Sequence, residues 1–353
     1  MAYTDIDDPS AFFQTTLYTG DGGGTRAVTH GGNSDLNADW VWIKDRGTTS
    51  THYIFDSVRG VQEHLTSAAT TRELSDANSL KAFNSNSFTL GTSGNVNGNT
   101  RTFVSWNWKA GTTSGIAGSA DITPNAYSFN QTSGFSIVTY NGTDVSGNTV
   151  LHGLGAVPHV IFVKRRVSDG YDWVVYHKDD VAGLYLNSVG VNNDSSSNNI
   201  WFNGQTPTST QFHIGTDGRI GDNVSTGAFV AYSFAPKQGY SKFGSWAGNG
   251  NADGPFIYTG FKPAFVLIKA ITVDNDWLIQ DNKRYPINTD VSKILYPNSA
   301  KVEADSADTD ILSNGFKLRN TTTSANTSGR SYIYMAFAEN PFVTSTGVPA
   351  TAR

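Results

Sequence analysis

Three stretches of the chain repeat one pattern: LNADWVWIKDRG (residues 36–47), GLGAVPHVIFVKRR (153–166) and GFKPAFVLIKAI (260–271). Each stretch contains a short run of apolar residues that ends at a lysine, namely Lys44, Lys164 and Lys269. Apolar runs of this length are typical of a strand that is covered on both faces. The pattern therefore predicts equivalent core strands in three homologous units.

The sequence after each lysine supports this threefold repeat. A phenylalanine follows a turn 44, 48 and 47 residues after the three lysines, at Phe88, Phe212 and Phe316. Each unit then ends in an alternating segment, namely TFVSWNW (102–108), FVAYSF (229–234) and YIYMAF (332–337). Period-two alternation of apolar residues indicates a half-buried strand.

These repeats predict the domain organisation of the 353 residues. The predicted units are residues 1–110, residues 127–236 after a Gly/Ser/Thr linker at 111–126, residues 237–342, and a C-terminal tail at 343–353. Each unit has room for about six to eight short strands, which is typical of a β-sandwich or jelly roll. We therefore expect an all-β protein with three tandem β-sandwich domains.

The connections suggest how the units are arranged. Because the linker at 111–126 is long and the joint near residue 236 is short, we expect units two and three to pack together and unit one to be set apart. We also expect residues 241–353 to fold alone. The best helical candidate in the chain is the segment 57–80.

The composition excludes several function classes. The net charge is −5, whereas domains that bind nucleic acid usually have a basic face, so no nucleic-acid partner is expected. The absence of cysteine excludes disulfides, thiolate metal sites and cysteine nucleophiles. No window approaches the ~18 apolar residues of a membrane span, and the N-terminus lacks the features of a signal peptide. We expect a protein made in a cytoplasm, without membrane insertion.

Catalytic motifs are not found in the sequence. It has no G-x-S-x-G elbow, no Walker loop and no H-E-x-x-H motif. The glycine-rich segment GDGGGTR, which begins at Gly20, follows no βαβ pattern and is predicted to be a hairpin turn. No carboxylate recurs in all three units, so a repeated hydrolase site is not expected.

No metal or cofactor site is predicted. His30 and His152 fall at equivalent positions, but unit three has Thr259 there, and His52 and His177 lie at different steps of their strands. DGRIGDN (217–223) and EADSADTD (303–310) are oxygen-rich enough for calcium. Neither has the spacing of an EF-hand loop, so solvated turn carboxylates are the favoured interpretation.

Two residue classes remain as binding candidates. The favoured interpretation of Lys44, Lys164 and Lys269 is that each lays its stem along the apolar strand and keeps its charge in water. The alternative is a ligand-binding or interface charge that occurs three times. Exposed aromatic rings on a β-sandwich are the other candidate, for stacking sugars, but the sequence does not identify them. The tryptophans predicted to be core residues are Trp42, Trp106, Trp108, Trp173 and Trp277.

Segments from every unit resemble one known family. They include IDDPSAFFQTTLYTG (6–20), FDSVRG (55–60), FVSWNWKAG (103–111), LHGLGAVPHVIFVKRR (151–166) and YSKFGSWAGNGNADGPFIYTGFKPAFVLIKA (240–270). These segments resemble virion-associated proteins of marine tailed bacteriophages, which carry repeated lectin-like (concanavalin-A-like) sandwich domains. The chain departs from the family pattern at NSFTLG (86–91), where a Gly-Phe turn is usual.

The resemblance implies a structural protein in the virion rather than an enzyme. Such a protein is made in the host cytoplasm and needs no signal peptide. The first hypothesis is a tail-associated fibre or appendage that contacts the host surface, with a host glycan or receptor as partner. The second is a capsid decoration or head-fibre protein, and in both cases we expect contacts with other virion proteins and a homo-oligomer, with a trimer favoured. A remote third hypothesis is a glycan-degrading enzyme, which would need two carboxylates about 5–9.5 Å apart.

Overall fold

The computed structural model describes residues 4–191, 201–222, 228–284, 292–306 and 309–349. These residues form antiparallel sheets, so the expected all-β class is confirmed. The helical elements that lie wholly within these ranges are one turn of α-helix, α1 (Gly94–Asn97), and a 3-10 turn at Pro9–Ala11. Neither is long and apolar enough to cross a membrane.

Unit one forms two sheets. Its strands are β1 (Phe13–Thr19), β2 (Arg26–Thr29), β3 (Trp40–Asp45), β4 (Tyr53–Asp56), β5 (Gly60–Thr66), β6 (Leu74–Ser75), β7 (Leu80–Asn84), β8 (Ser87–Leu90) and β9 (Thr102–Trp108). The inner sheet has the order β1-β9-β3-β4-β5-β6, and the outer sheet has the order β2-β8-β7. Strands β5 and β6 occupy the segment predicted to be helical, so that prediction is wrong. GDGGGTR joins the inner sheet to the outer sheet and is not a hairpin turn.

Unit two repeats the inner sheet, and the described part of its outer sheet has two strands. Its strands are β10 (Ala126–Asn130), β11 (Phe135–Asn141), β12 (Thr149–Leu151), β13 (Val160–Arg165), β14 (Val174–His177), β15 (Asp180–Tyr185), β16 (Gln211–His213) and β17 (Ala228–Phe234). The inner sheet has the order β10-β11-β17-β13-β14-β15, and β12 pairs with β16.

Unit three has the same plan, and the described part of its inner sheet has four strands. Its strands are β18 (Ser241–Ala247), β19 (Phe256–Tyr258), β20 (Phe261–Ala270), β21 (Leu278–Asp281), β22 (Ser292–Ile294), β23 (Ala304–Ser306), β24 (Thr309–Leu312), β25 (Gly315–Leu318) and β26 (Ser331–Pro341). The inner sheet has the order β18-β26-β20-β21, the outer sheet has the order β19-β25-β24, and β22 pairs with β23.

Alternate residues of each lysine strand enter different cores. In β3, Trp40 and Trp42 belong to a central cluster, whereas Val41 and Ile43 belong to the core between the two sheets of unit one. Strands β13 and β20 divide their residues in the same way. The central cluster therefore covers one face of the inner sheet of every unit, and the five tryptophans predicted to be core residues are all buried.

Three equivalent rings meet within the central cluster. Trp108, Phe234 and Phe337 each lie opposite the same position of the neighbouring lysine strand. The ring centroids are 6.4 Å apart for Trp108 and Phe234, 5.4 Å for Trp108 and Phe337, and 5.9 Å for Phe234 and Phe337, and each pair is T-shaped. The three units are thus arranged around a pseudo-threefold axis that passes near these rings.

This packing corrects the expected arrangement of the units. Unit one is not set apart, because its inner sheet supplies residues to the same cluster as the inner sheets of units two and three. Independent folding of residues 241–353 is also no longer expected, since this fragment would expose the face that carries Phe265 and Phe337.

We therefore predict that residues 241–353, produced alone, lack a cooperative thermal transition and bind a hydrophobic dye. The fragment loses the apolar partners of one sheet face while it keeps the entropic cost of folding. Circular dichroism melts of the fragment and the full chain, at equal concentration, provide the comparison. A sharp, reversible melt of the fragment alone would contradict the shared core.

Candidate functional site

Buried charges close the interface between units one and two. The side chains of Asp56 and Arg59 are fully buried as an ion pair, and the hydroxyl of Tyr232 donates to Asp56 Oδ2 at 2.7 Å. Glu73 accepts a 2.9 Å hydrogen bond from Arg59 and two from Arg166 of unit two, at 2.9 and 2.7 Å. Each buried charge therefore has a partner, as burial requires.

The interface between units three and one repeats this arrangement. Asp281 pairs with Arg284 and accepts from Trp106 Nε1 at 3.0 Å. Glu303 binds Arg46 of unit one through two hydrogen bonds of 2.8 Å and also contacts Arg284. These charged groups hold the units together and are not free to act on a substrate.

The interface between units two and three is different. His177 occupies the position of Asp56 and Asp281, and its Nε2 lies 3.3 Å from the backbone oxygen of Tyr334. Met335 takes the position of Trp106 and Tyr232 and has no side-chain donor. A neutral histidine bonded to the backbone thus replaces a carboxylate bonded to a side chain.

The three repeated lysines are buried, so the prediction that their charges lie in water is wrong. Lys44 Nζ donates to the backbone oxygens of Asp45 and Thr48, at 2.6 and 3.1 Å. Lys164 Nζ donates to the backbone oxygen of Tyr171. Each lysine thereby fixes the loop that follows its own strand.

Lys269 makes one contact that the other two lysines lack. Its Nζ donates to the backbone oxygens of Asn275 in its own loop and Val189 in unit two, at 2.6 and 2.7 Å. Burial lowers the pKa of Lys44, Lys164 and Lys269 to about 8. The repeated lysines thus hold loops and, in unit three, an interface.

We predict that the protein becomes more stable between about pH 8 and pH 9.5. A lysine whose pKa is near 8 when folded and about 10.4 when unfolded loses its proton first in the folded state, so stability rises with pH across this window. Each such lysine contributes a slope of up to ~1.4 kcal/mol per pH unit. Urea unfolding at several pH values measures the slope.

The variant Lys164→Met should reduce this slope by up to ~1.4 kcal/mol per pH unit, the contribution of one titrating proton. The matched control is Lys81→Met, which removes an exposed lysine on β7, and we expect it to keep the wild-type slope. A slope that is the same in Lys164→Met and the wild-type chain would show that Lys164 is not the titrating group.

The described surface has an open cleft between the inner and outer sheets in units one and three. Each cleft lies between the first long strand of the inner sheet (β1 or β18) and the outer strand that follows it (β2 or β19). The unit-one cleft has a volume of about 380 Å³ and the unit-three cleft about 630 Å³. In unit two, residues of the predicted linker and strand β10 fill the equivalent position.

The unit-three cleft carries two exposed aromatic rings. Phe256 and Tyr258 lie on the same side of β19 and are 45% and 53% exposed, whereas Ile257 between them is buried. Lys242 Nζ donates to the backbone oxygen of Tyr258 at 2.7 Å and lies 5.1 Å from the centroid of its ring. The cleft thus combines flat apolar surfaces with a cation.

Unit two supplies the opposite wall of the unit-three cleft, with His159, Lys178 and Asp179. Burial lowers the pKa of His159, and Lys178 adds to this effect while Asp179 opposes it, so the environment favours the neutral ring. Lys178 and Asp179 form an ion pair of 2.6 Å. The wall therefore offers several hydrogen-bonding groups with little net charge.

The unit-one cleft is polar and lacks exposed rings. Its walls include Gln14, Thr15 and Thr16 on β1, Gly31 and Gly32 beyond β2, and residues of unit three around Lys283 and Glu339. The Gln14 side chain crosses the cleft floor, where it accepts from Gly32 N at 2.7 Å. The two open clefts therefore differ in chemistry although they occupy equivalent places.

The remaining sequence candidates do not form a site. His30 and His152 are buried, and desolvation lowers the pKa of each to about 4. His52 accepts a 3.0 Å hydrogen bond from Trp42 Nε1 inside the core. In the described residues, the structure brings together no group of three His, Asp or Glu side chains that could hold a metal ion.

Basic residues engage the carboxylates of both oxygen-rich loops. Asp217 and Asp222 pair with Arg219 and Arg165. In the second loop, Glu303, Asp305 and Asp310 pair with Arg46, Lys293 and Arg319. Asn223 and residues 307–308 lie outside the described ranges. The described carboxylates are therefore partners of cationic side chains rather than free calcium ligands.

Sequence reasoning missed the residues of the unit-three cleft. The signal was present in GPFIYTG (254–260), where Phe256 and Tyr258 alternate with Ile257. The alternation places the two aromatic residues on one face of the strand. The sequence pattern does not show which face is exposed.

One family model spans all three units. The model described as "Domain of unknown function (DUF7483)" matches residues 8–341. The chain belongs to this family. The match runs across both joints between units, as does the central cluster. Neither the curated proteins nor the solved structures include a match to the chain.

Proposed function

We propose that this DUF7483 protein is a non-enzymatic structural protein of a bacteriophage virion. In this proposal it is part of a tail-associated appendage and contacts the host surface through a glycan in the unit-three cleft. The exposed pair Phe256 and Tyr258 beside Lys242 is the observation that carries the binding role. The resemblance of segments in every unit to virion proteins supports the location.

The cleft chemistry suits a sugar. Aromatic faces bind the apolar C–H face of a sugar ring, while nearby polar side chains bind its hydroxyls, as in other small-ligand sites that combine rings with a few polar groups. His159 and Ser245 line the same cleft and supply such groups. We also propose that each unit is a lectin-like sandwich of the jelly-roll or concanavalin-A-like type.

The carboxylates of the clefts favour binding over hydrolysis. Asp179 is the one carboxylate among the residues that line the unit-three cleft, and Glu339 is the one in the unit-one cleft. Glu339 forms an ion pair with Lys262. A glycosidase requires two carboxylates that face each other across the substrate.

The internal symmetry bears on the proposed assembly. Three equivalent units around one axis already give a single chain the arrangement that three copies of a one-unit protein would have. Such a chain fits a threefold-symmetric partner in the virion, and a homotrimer of the whole chain remains part of the proposal.

We predict that Tyr258→Ala and Phe256→Ala each weaken glycan binding by about three- to tenfold, because a ring-face contact contributes on the order of 1 kcal/mol. Binding of the purified chain to a glycan array, followed by titration of the best glycan, measures the effect. The control is Leu74→Ala, which removes another partly exposed apolar side chain, on β6. Equal losses in all three variants would argue against a site at the cleft.

The virion location is tested by electron microscopy of intact particles labelled with a gold-tagged antibody against this protein. Label at the tail is the expected result. Label over the head would replace the tail assignment with capsid decoration. Particles that carry no label, in a preparation where the antibody detects the purified chain, would contradict a virion role of either kind.

A further inference from the structure

We propose that the unit-one cleft is an acceptor site for an extended segment of a partner protein, which adds as an extra strand to the edge of β1 that no described strand covers. This inference concerns a different cleft from the proposed glycan site and does not depend on glycan binding. The argument rests on unit two, where the chain fills its own equivalent cleft with such a segment.

In unit two the occupant is a strand of the same chain. Strand β10 pairs with β11 in antiparallel register, from Ala126 opposite Thr139 to Asn130 opposite Phe135. Just before it, Ile122 forms a bridge to Val150 of β12 and is buried in the core of unit two. The segment thus contacts both walls of the cleft, the inner sheet and the outer sheet.

The edge of β1 is the equivalent of the edge that β10 covers. β1 is the outermost strand of its sheet, whereas β11 lies second, behind β10. Lys109 N donates to Phe12 O, and Gly20 N donates to Arg101 O. These two bonds, at either end of β1, show which residues of the strand bond to β9 and which point away from it. Because alternate residues of an antiparallel strand bond to opposite neighbours, Thr15 and Leu17 direct their backbone groups towards the cleft. No strand of the described residues pairs with this edge, and an edge of this kind is a template for another strand.

The space beside the edge is also equivalent. Gly153 of unit two corresponds to Gly31 of unit one, because each glycine directly follows one of the equivalent residues His152 and His30. The ring of Phe129 from β10 packs on Gly153, so close that a Cβ there would lie 2.7 Å from it. At Gly31, no described residue lies within 4 Å of the Cβ position. Gly31 also lines the unit-one cleft, so the described residues leave space beside it for an incoming strand.

The side chains of β1 define the chemistry of the occupant. Phe129 of β10 lies opposite Ser136, and Tyr127 opposite Val138; the corresponding residues of β1 are Gln14 and Thr16. Since Gln14 fills the floor of the cleft, the residue opposite it must be small. The residue opposite Thr16 has room for an aromatic or aliphatic side chain. The expected partner segment is an extended polypeptide with this alternation.

A sugar fits this cleft less well than a strand. The aromatic side chain that lines the unit-one cleft, Phe13, is buried in the central cluster, so it offers no exposed face for stacking. The partly exposed Leu17 is an aliphatic side chain on the same edge. Main-chain hydrogen bonds with Thr15 and Leu17 would supply the affinity, and the cleft walls would supply the specificity.

The test uses a fluorescent synthetic peptide of residues 120–131 that carries Phe129→Ala, so that a small residue faces Gln14 while Tyr127 faces Thr16. Binding to the full chain is measured by fluorescence polarisation. The variant Thr15→Pro removes one outward N–H without removing a bond to β9, as edge strands tolerate. Its matched control is Thr19→Pro, on the same strand and with the same orientation but outside the cleft lining.

A second variant, Gly31→Leu, fills the open space without changing β1. We expect the wild-type chain and Thr19→Pro to bind the peptide equally, and Thr15→Pro and Gly31→Leu to bind it about tenfold more weakly. Hydrogen exchange in the wild-type chain should slow over residues 13–19 when the peptide is added. The proposal is overturned if the wild-type chain fails to bind at millimolar peptide, or if all four proteins bind equally. Equal binding would mean that the peptide exchanges with β10 in unit two.

Discussion

The contact among Trp108, Phe234 and Phe337 determines the arrangement of the whole molecule. Each ring belongs to an interior strand of one inner sheet, beside the lysine strand, and the three meet edge to face. Large aromatic side chains bury roughly 150–250 Å² each, which corresponds to about 4–6 kcal/mol of transfer free energy per ring. Three sheets that share such a core cannot separate without exposing it. This makes the chain one cooperative body, although its sequence is a threefold repeat.

The shared core explains why so many charged groups are buried. Once the inner face of each sheet is covered by the other two units, the residues at the ends of its strands lie at interfaces between units. A charge there is tolerated only with partners, and Asp56, Arg59 and Glu73 provide them for one another and for Arg166. The lysines follow the same rule with backbone oxygens as acceptors. The repeated lysine of the opening pattern is thus a consequence of covering both faces of its strand.

The sequence supported the prediction of units, core strands and all-β class because these depend on local periodicity. The alternation in TFVSWNW and the apolar run before Lys44 hold within one unit. The relation between units depends instead on which face of each sheet finds a partner. The apolar residues of both faces look alike in the sequence: Trp40 and Val41 enter different cores, yet both are simply apolar. The same limit applied to the candidate site, since Phe256 and Ile257 differ in exposure and not in hydrophobic character.

The linker shows most clearly how composition and structure diverge. Residues 111–126 have the composition of a flexible connection, but Ile122 is buried and the residues that follow form β10. A pseudo-threefold body offers three equivalent clefts, and the chain passes close to the cleft of unit two on its way from unit one. Among the described residues, neither of the other units receives such a segment: Thr4 and Asp5 bond to Gln238 of unit three, and unit three follows β17 almost directly. The repeat therefore leaves two clefts open.

The two open clefts differ in the residues that line them. Gln14 and Gly31 lie in the unit-one cleft, and Lys242 and Tyr258 lie in the unit-three cleft. These residues give equivalent places in the repeat different binding chemistry.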